Sequence, residues 1–375
     1  MDLSFSAAQR EFRAEVRDWL TTHVPAEPLP SMDTVDGFAR HREWERTLAG
    51  ARLSAVSWPE EYGGRGAGLI EWLIFEEEYW RSGAPGRVSQ NGIFLLAPTL
   101  MAYGTEEQRR RFLPRMARAD DIWAQAWSEP EAGSDLAALR ATATPDGDGW
   151  RLAGQKTWSS RAAYADWGFG LFRSDPATES DKGRHRGLTY FLFPLDAPGL
   201  TVRPIAQLGG EPGFAELFFD GVYVSADQVL GAVGAGWQVA MATTSSERGL
   251  TLRSPGRFMA TADRLLDLAR GSDDQALRDH AVRAWLDAEA YRLHTFHVAT
   301  RPADGAELGA RSSLMKVFWS ELDLRMHETA LDLLGPAEPG PWREGFLFAL
   351  AGPIYAGTNE IQRNIIAERV LGLPR

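Results

Sequence analysis

The sequence predicts an α+β protein in which helical, β-rich and helical segments follow one another. Residues 1–118 place apolar side chains at helical spacing, residues 119–232 alternate apolar and polar side chains between turns, and residues 233–375 return to helical spacing. Such segregation of helices and strands is typical of the α+β class. A chain of 375 residues is long enough for two or three domains. We therefore predict an N-terminal helical domain, a middle β-domain and a C-terminal helical domain with these bounds.

Helix-start signals support the N-terminal helices. Ser6 and Gln9 have the spacing of a capping box at the start of a helix over 6–24. Thr105 is placed to cap a helix over 105–117 in the same way. The other helices predicted in this segment cover 34–51, 69–81 and 91–103.

The middle segment contains runs of β-branched and aromatic residues bounded by Gly, Pro and Asp. Runs of this composition are typical of strands. The predicted strands cover 150–160, 167–174, 188–195, 200–207 and 215–225. Residues 178–186 are polar and predict a loop.

The C-terminal segment predicts amphipathic helices. The first covers 236–270, with Pro255 near its middle, and the run GSDDQ at 271–275 ends it. The remaining predicted helices cover 276–300, 311–334, 343–351 and 358–371.

Composition excludes several classes of function. The net charge of −11 argues against a nucleic-acid partner. The sequence contains no cysteine, which excludes disulfides, thiol nucleophiles and cysteine-ligated metals. No run of 18 apolar residues exists and the first residues carry no signal-peptide core. We therefore expect a cytoplasmic protein that does not span a membrane.

One stretch, IWAQAWSEPEAGSD at 122–135, has the features of a ligand site. Its apolar run predicts a strand that breaks at Pro130, which has no N–H for a ladder. Gly133 and Ser134 allow close approach of the backbone to a ligand and offer N–H groups. A planar ligand lying along the strand end, with Ser128 donating to it, is one interpretation. The other is a plain strand that ends in a turn.

Two further segments complete a pattern. In AGQKTWSSRAAYADWG at 153–168, Trp158 and Ser160 are two residues apart, so a strand would point both to one side. The third segment is GPIYAGTNEIQRNIIAERVLG at 353–372. In this order and at these separations, the three segments resemble the acyl-CoA dehydrogenase family of flavoproteins, and the resemblance covers essentially the whole chain.

The resemblance implies a fold and a cofactor. The fold is an N-terminal helical domain, a middle β-barrel-like domain and a C-terminal four-helix bundle, and the cofactor is FAD. The hydroxyls of Ser128 and Ser160 would lie near the flavin N5, and Gly133 and Ser134 would border the groove shared with the substrate's pantetheine arm. The residues implied to contact FAD are Gln125, Ala126, Trp127, Ser128, Gly133, Ser134, Trp158, Ser160, Thr358 and Glu360.

Two of these assignments have simpler alternatives. Trp158 could be a core aromatic residue rather than a cover for the flavin ring. Thr358 could be only the cap of the last helix, whose N-terminus otherwise suits the adenosine or pyrophosphate part of the cofactor.

The family reaction removes an α-proton from an acyl thioester while the β-hydrogen leaves as hydride. The base must be a carboxylate in a dry pocket, and the thioester oxygen needs hydrogen-bond donors. Many family members carry the basic glutamate where this chain has Ala356. A second branch carries it on the first helix after the β-domain, and Glu247 of SSERGL matches that position. The alternative is an exposed helical glutamate in an i,i+4 ion pair.

The loss of the usual base affects the substrate contacts as well. We expect the backbone N–H of Ala356 to help polarise the thioester carbonyl. Arg248 would orient Glu247 or contact the CoA arm, and Ser134 could also contact that arm.

Family members that form homo-oligomers complete a neighbour's adenine pocket with two motifs that are altered here. The region 265–282 contains no Phe-Gly pair, and the segment DLLGPAEPG has Asp332 and Pro336 where Gln and Gly are usual. One explanation is an α2β2 heterotetramer with a related subunit, as in members that act on steroid side-chain CoA thioesters. The alternative is a homo-oligomer with different adenine contacts.

The leading functional prediction is an FAD-dependent acyl-CoA dehydrogenase of lipid metabolism, with a bulky or steroid side-chain substrate as one option. Its electron acceptor would be an electron-transfer flavoprotein. Two alternatives stay open: a catalytically silent subunit of such a complex, and a flavin oxidase or monooxygenase on the same fold.

Overall fold

In a computed structural model, residues 4–175, 183–247, 254–300, 309–335 and 340–374 are described. The chain divides into two compact units, neither of which is a continuous segment. The sheet unit contains Glu27–Gly66 and Pro85–Ser246. The helical unit contains Met1–Ala26, Ala67–Ala84 and Glu247–Arg375.

The helices alternate with loops over most of the chain and flank one β-rich region. They are α1 (Ala7–His23), α2 (Val35–Gly50), α3 (Leu69–Arg81), α4 (Ala97–Tyr103), α5 (Glu106–Ala117), α6 (Gly236–Glu247), α7 (Pro255–Ala269), α8 (Gln275–Ala299), α9 (Ser312–Leu334), α10 (Pro341–Ala349) and α11 (Asn359–Ile365). A π-helical stretch, Asn91–Leu96, leads into α4, and another, Ile366–Val370, extends α11.

The described residues of the sheet unit contain one eight-stranded sheet. Its strands are β1 (Trp123–Ala126), β2 (Thr142–Asp146), β3 (Gly149–Ser160), β4 (Trp167–Arg173), β5 (Leu188–Pro194), β6 (Leu200–Ile205), β7 (Phe214–Ser225) and β8 (Val229–Leu230). The order is β6-β7-β3-β2-β4-β5-β8, and β1 pairs with β4 in parallel. The five strands predicted over 150–225 and the strand predicted at the start of 122–135 are all present. Strands β2 and β8 were missed, because Pro145 and Asp146 weaken the first and the second has only two residues.

The strands of the sheet differ in how they bury their faces. Side chains of β7 alternate between buried and less buried positions, as on a strand with one core face. Nearly all residues of β4 and β5 are buried, so these strands are covered on both faces. Phe172, Phe191, Phe193 and Phe219 pack together in the core with ring centroids 5.0–6.2 Å apart. This aromatic cluster fixes the sheet on which the motif residues lie.

In the helical unit, α7, α8 and α9 share a core that includes Phe258, Tyr291, Trp319 and Leu322. Gly256 permits a close approach of α7 to α3, because a Cβ at this position would lie 2.5 Å from the carbonyl oxygen of Glu76. The capping boxes at Ser6 and Thr105 are both present, as predicted. Among the described helices, none combines the length and the apolar composition that a membrane-spanning segment requires.

The prediction of one helix over 236–270 was wrong. The described part of α6 reaches Glu247, residues 248–253 lie outside the described residues, and Ser254 is extended, with φ −61° and ψ 151°. Pro255 is the first residue of α7 rather than a kink inside a longer helix. Proline suits the first helical position, because its missing N–H has no partner there and its ring keeps the preceding residue out of the helical conformation.

Candidate active site

The first two motifs meet within the sheet unit. Strand β1 leads directly into Trp127 and Ser128, and the amide of Thr157 on β3 donates to the carbonyl oxygen of Ser128 at 2.8 Å. Ser128 therefore lies beside the end of β3 that carries Trp158. Local sequence patterns could not have predicted this pairing, which joins residues 29 positions apart.

A buried ion pair anchors the loop after β1. The Lys156 ammonium, which is fully buried, donates to Glu129 Oε1 at 2.8 Å and to the carbonyl oxygen of Trp127 at 3.2 Å. The Glu129 carboxylate also accepts from the amides of Arg140 at 2.7 Å and Ala141 at 2.9 Å. Burial lowers the pKa of the Lys156 ammonium, and the Glu129 carboxylate opposes that shift.

Sequence reasoning missed Glu129 and Lys156 as functional supports. The available signal was a glutamate in the first motif and a lysine in the second, each two residues from a tryptophan. A buried charge without a partner is costly, so two such charges of opposite sign suggest a pair.

Trp158 is exposed in a strained stretch of backbone. The pairing of β3 with β7 is irregular between Lys156 and Ser159, and Trp158 lies in this bulge with φ +58°. A left-handed conformation costs a non-glycine residue about 1 kcal/mol, and such strain concentrates at functional sites. The Trp158 side chain is 59% exposed and contacts Phe214 edge-to-face at 5.9 Å. The core alternative for Trp158 is therefore wrong.

The other residues of the first two motifs have mixed burial. Ala126 and Trp127 are buried, whereas Gln125, Ser128 and Ser160 are half-buried. The Trp127 indole packs edge-to-face on Tyr190 at 6.2 Å. Its Nε1–H is buried and has no hydrogen-bond partner among the described residues. Buried donors without a partner are uncommon in native proteins, so this N–H is a candidate donor to a bound ligand.

Gly133 and Ser134 form an exposed turn beyond the anchored loop. Glu129 and Ala132 close the preceding loop with two backbone hydrogen bonds, of 3.0 and 3.1 Å. The amides of Gly133 and Ser134 donate to no other residue in the described parts of the chain. Nothing lies within 4 Å of where a Cβ of Gly133 would stand.

These features fit a flavin dinucleotide. An exposed indole offers a surface for stacking, a buried N–H lacks an acceptor, and a turn of small residues offers free amides to a polar chain. Ser128 and Ser160 add hydroxyl groups on the same part of the sheet unit.

The third motif forms a turn and a short helix in the helical unit. Ala356 and Gly357 are both left-handed, with φ +56° and +83°. The buried Gln362 side chain donates to the carbonyl oxygens of both residues, at 3.3 and 3.2 Å. The unusual backbone of Ala356 is therefore held by a specific side chain.

Thr358 caps α11, and Glu360 lies in its first turn. The Thr358 hydroxyl accepts from the amide of Ile361 at 3.3 Å, so the capping alternative for Thr358 is observed. Glu360 is exposed, and its own amide and the Thr358 hydroxyl hold its pKa below the usual value. The carboxylate is therefore negative at neutral pH.

The helix that carries the predicted base is anchored one turn before it. Thr243 Oγ1 lies 2.9 Å from Thr99 Oγ1 and 3.3 Å from the Tyr190 hydroxyl, and all three side chains are buried. Glu247 is the last described residue of α6, four positions after Thr243. Arg248 lies outside the described residues.

Models of three domain families match the chain. They are "Acyl-CoA dehydrogenase, N-terminal domain" over residues 6–120, "Acyl-CoA dehydrogenase, middle domain" over 124–222, and "Acyl-CoA dehydrogenase, C-terminal domain" over 234–371. Among curated proteins, acyl-CoA dehydrogenase IpdE1 of Mycobacterium tuberculosis is 43% identical over 385 residues. That alignment covers 97% of this chain and 98% of the relative.

Two solved structures are similar over the whole chain. The ChsE4-ChsE5 complex from Mycobacterium tuberculosis matches with a TM-score of 0.85 and 31% identity, covering 100% of both chains. The Tcur3481-Tcur3483 steroid ACAD also matches with a TM-score of 0.85, at 29% identity and with 100% of both chains covered.

Proposed function

The chain belongs to the acyl-CoA dehydrogenase family, and we propose that Glu247 takes the α-proton of an acyl-CoA thioester as the α,β double bond forms. FAD is the cofactor of this family, and when bound it accepts the β-hydrogen that leaves as hydride. The observation that supports the flavin site is the exposed Trp158 indole, fixed in a strained bulge beside Ser128. The assignment of the base rests on the match of Glu247 to the second branch of the family and on Ala356 at the usual position of the base.

The residues of the sheet unit would hold the flavin ring. Trp158 would cover one face, and the backbone and side chains of Gln125, Ala126 and Trp127 would line the ring edge. The hydroxyls of Ser128 and Ser160 would donate to ring heteroatoms. The unpartnered Trp127 Nε1–H and the anchored loop after β1 support this assignment.

The turn of Gly133 and Ser134 would meet the polar chains of the cofactor and the substrate. Two free amides in an exposed turn can bind phosphate or amide oxygens without displacing protein contacts. Ser134 would also contact the pantetheine arm.

The chemistry assigns two tasks to the helices. Glu247 would hold the α-proton after abstraction, and Arg248 would orient that carboxylate or contact the CoA arm. The N–H of Ala356 would donate to the thioester oxygen, where enolate charge develops in the transition state. Ala356 carries only a methyl group, so it cannot act as a base.

Thr358 and Glu360 would contact the adenosine part of FAD. A negative Glu360 repels phosphate, and the Thr358 hydroxyl is already engaged in capping. These two facts favour a ribose hydroxyl over the pyrophosphate as the partner of Glu360.

The base can be tested by substitution. Glu247→Gln keeps the size of the side chain but removes the base, so anaerobic addition of acyl-CoA should no longer remove the visible flavin absorbance while FAD stays bound. Glu328→Gln, which changes an exposed glutamate of α9, serves as the control and should behave as wild type. Undiminished bleaching by Glu247→Gln would remove Glu247 from the mechanism.

We also propose a bulky acyl group, such as a steroid side chain, as the substrate. Ala356 is smaller than the glutamate that many family members carry at this position, and one similar solved structure is a steroid ACAD, Tcur3481-Tcur3483. A panel of short, long and steroid CoA thioesters tests it. The highest kcat/KM on a short straight chain would contradict it.

A related subunit would complete the assembly as α2β2. Asp332 and the altered motif around it support this, and Pro336 lies outside the described residues. Exposed apolar side chains at Val282 and Leu286 of α8 and at Leu314 of α9 also support a protein partner. Full FAD occupancy and activity in the chain purified alone would contradict the mixed assembly.

The remaining assignments follow the family and the composition. Electron-transfer flavoprotein is the proposed acceptor, and the three-domain organisation and cytoplasmic location stay predictions. Peroxide formation during turnover would instead indicate an oxidase. A colourless preparation, even with the related subunit, would favour the catalytically silent role.

A further inference from the structure

A charged pair with a buried carboxylate lies in the helical unit. Arg257 in the first turn of α7 pairs with Asp323 of α9, and their side chains are 24% and 2% exposed. Removing two charges from water is costly, and apolar side chains of similar volume would pack at least as well. The pair therefore calls for an explanation beyond stability.

The Arg257 guanidinium connects through one aromatic ring to the residue that precedes Ala356. It lies over the ring of Phe348 at 5.5 Å, and the Phe348 ring lies 6.1 Å from the ring of Tyr355. The Tyr355 ring stacks on Trp319 at 5.9 Å with an interplanar angle of 29°. The Tyr355 ring is thus held between Trp319 and Phe348, and Phe348 in turn lies against Arg257.

Asp323 is fixed in turn by its own surroundings. The His327 Nδ1 lies 2.8 Å from the carbonyl oxygen of Asp323 and 3.5 Å from Asp323 Oδ1. His327 packs against Trp342 of α10 at 5.5 Å. The carboxylate that orients Arg257 is therefore part of the rigid core of α9 and α10.

Ala356 needs support because its left-handed backbone is unfavourable for an alanine. Gln362 holds its carbonyl oxygen on the C-terminal side. Tyr355 is the direct covalent link on the N-terminal side, and the peptide N–H of Ala356 belongs to the bond between them. A shift of Tyr355 would therefore re-aim that N–H.

We propose that the Arg257–Asp323 pair is a positioning element that holds Tyr355 and, through it, directs the Ala356 N–H at the thioester oxygen. The inference rests on the proposed function, because it gives Ala356 the role assigned there. Arg257 touches neither substrate nor cofactor in this account, so it is a positioning residue.

The test compares a single and a double substitution. Arg257→Met leaves Asp323 buried without its partner, so both thermal stability and kcat should fall. Arg257→Met with Asp323→Leu replaces the pair by apolar side chains and should restore the melting temperature. We expect kcat of the double variant to stay at least about tenfold below wild type, with KM little changed, because a misdirected donor weakens transition-state binding.

A spectroscopic readout separates positioning from stability. Isotope-edited infrared spectroscopy of a bound thioester, in the Glu247→Gln background, reports how strongly the carbonyl is polarised. The band should move to lower wavenumber on binding, and this shift should shrink in the double variant. Arg270→Met, which removes the guanidinium of the exposed Arg270–Asp267 pair beside the C-terminal end of α7, is the control and should leave the shift intact.

The outcomes are distinct. A double variant that regains both its melting temperature and its kcat, or that keeps the full carbonyl shift, overturns the positioning role. A different result would be the absence of any carbonyl shift in the Glu247→Gln variant that retains Arg257 and Asp323. Ala356 would then not be a hydrogen-bond donor to the thioester, and the part of the proposed function on which the inference rests would be wrong.

Discussion

Removing the cation of the buried Lys156–Glu129 pair should greatly lower the free energy of unfolding. Lys156→Met keeps most of the side-chain volume but leaves the Glu129 carboxylate buried without its charged partner. The two side chains are 0% and 8% exposed, so water cannot replace the ammonium without opening the loop after β1. The carbonyl oxygen of Trp127 also loses its 3.2 Å donor.

The expected magnitude follows from the contacts. Breaking a buried ion pair by removing one partner costs about 3–5 kcal/mol. Glu129 keeps the amides of Arg140 and Ala141 as donors, which favours the lower end of that range. We therefore expect the free energy of unfolding to fall by about 3 kcal/mol.

Urea denaturation followed by tryptophan fluorescence measures this loss. Arg151→Met is a matched control, because Arg151 is also on β3 and pairs with Asp146, but the two side chains are 51% and 47% exposed. That exposed pair should contribute less than about 1 kcal/mol. Adding Glu129→Gln to Lys156→Met should recover part of the loss, because the uncompensated charge is then gone.

Two results would refute the reasoning. One is a decrease in the free energy of unfolding of less than about 1 kcal/mol for Lys156→Met, equal to the decrease for the exposed control. The other is a double variant no more stable than the single one, which would show that the uncompensated charge of Glu129 is not the cause.

Three further predictions concern single side chains. Trp158→Ala should change the free energy of unfolding by less than about 0.5 kcal/mol, because the side chain is exposed. It should nevertheless lower the FAD content of the purified protein. Unchanged FAD content would contradict the proposed role of Trp158. Thr358→Ala removes the cap of α11 and should lower the free energy of unfolding, measured by urea denaturation, by about 1 kcal/mol. An unchanged urea midpoint would show that the cap does not stabilise the protein. Burial lowers the pKa of His327 in the folded chain. The unfolded chain therefore binds a proton on this imidazole near pH 6.5, whereas the folded chain binds it only at lower pH. The free energy of unfolding should fall as the pH drops below about 6.5, and His327→Gln should flatten this dependence. An identical pH dependence in His327→Gln would contradict this account.

Local signals predicted much of the fold. The capping boxes at Ser6 and Thr105 and the spacing of apolar residues predicted helices close to their observed bounds, because these signals act within a few residues. Pro255 was placed inside a helix because the apolar spacing continues on both sides of it. The spacing alone did not include the effect of the proline ring on Ser254.

The site was less accessible to sequence reasoning. The motifs and the family resemblance named Trp158 and Ser128, but the bulge that exposes Trp158 arises from the pairing of β3 with β7. The contact of Lys156 with Glu129 joins residues 27 positions apart. The hydrogen bond from the Gln362 side chain to the carbonyl oxygen of Ala356 depends on the left-handed turn, and an alanine in the sequence does not predict such a turn. Each of these features depends on tertiary contacts.

The central proposal is that Glu247 abstracts the α-proton, although many family members carry the base at the position of Ala356. Exchange of the α-hydrogen of a bound acyl-CoA with D₂O, followed by mass spectrometry under anaerobic conditions, measures proton abstraction directly. We predict that the FAD-loaded protein, with its related subunit where needed, exchanges the α-hydrogen. In Glu247→Gln, with FAD still bound, the exchange rate should be at least about 100-fold lower. Exchange at the wild-type rate in Glu247→Gln would contradict the claim.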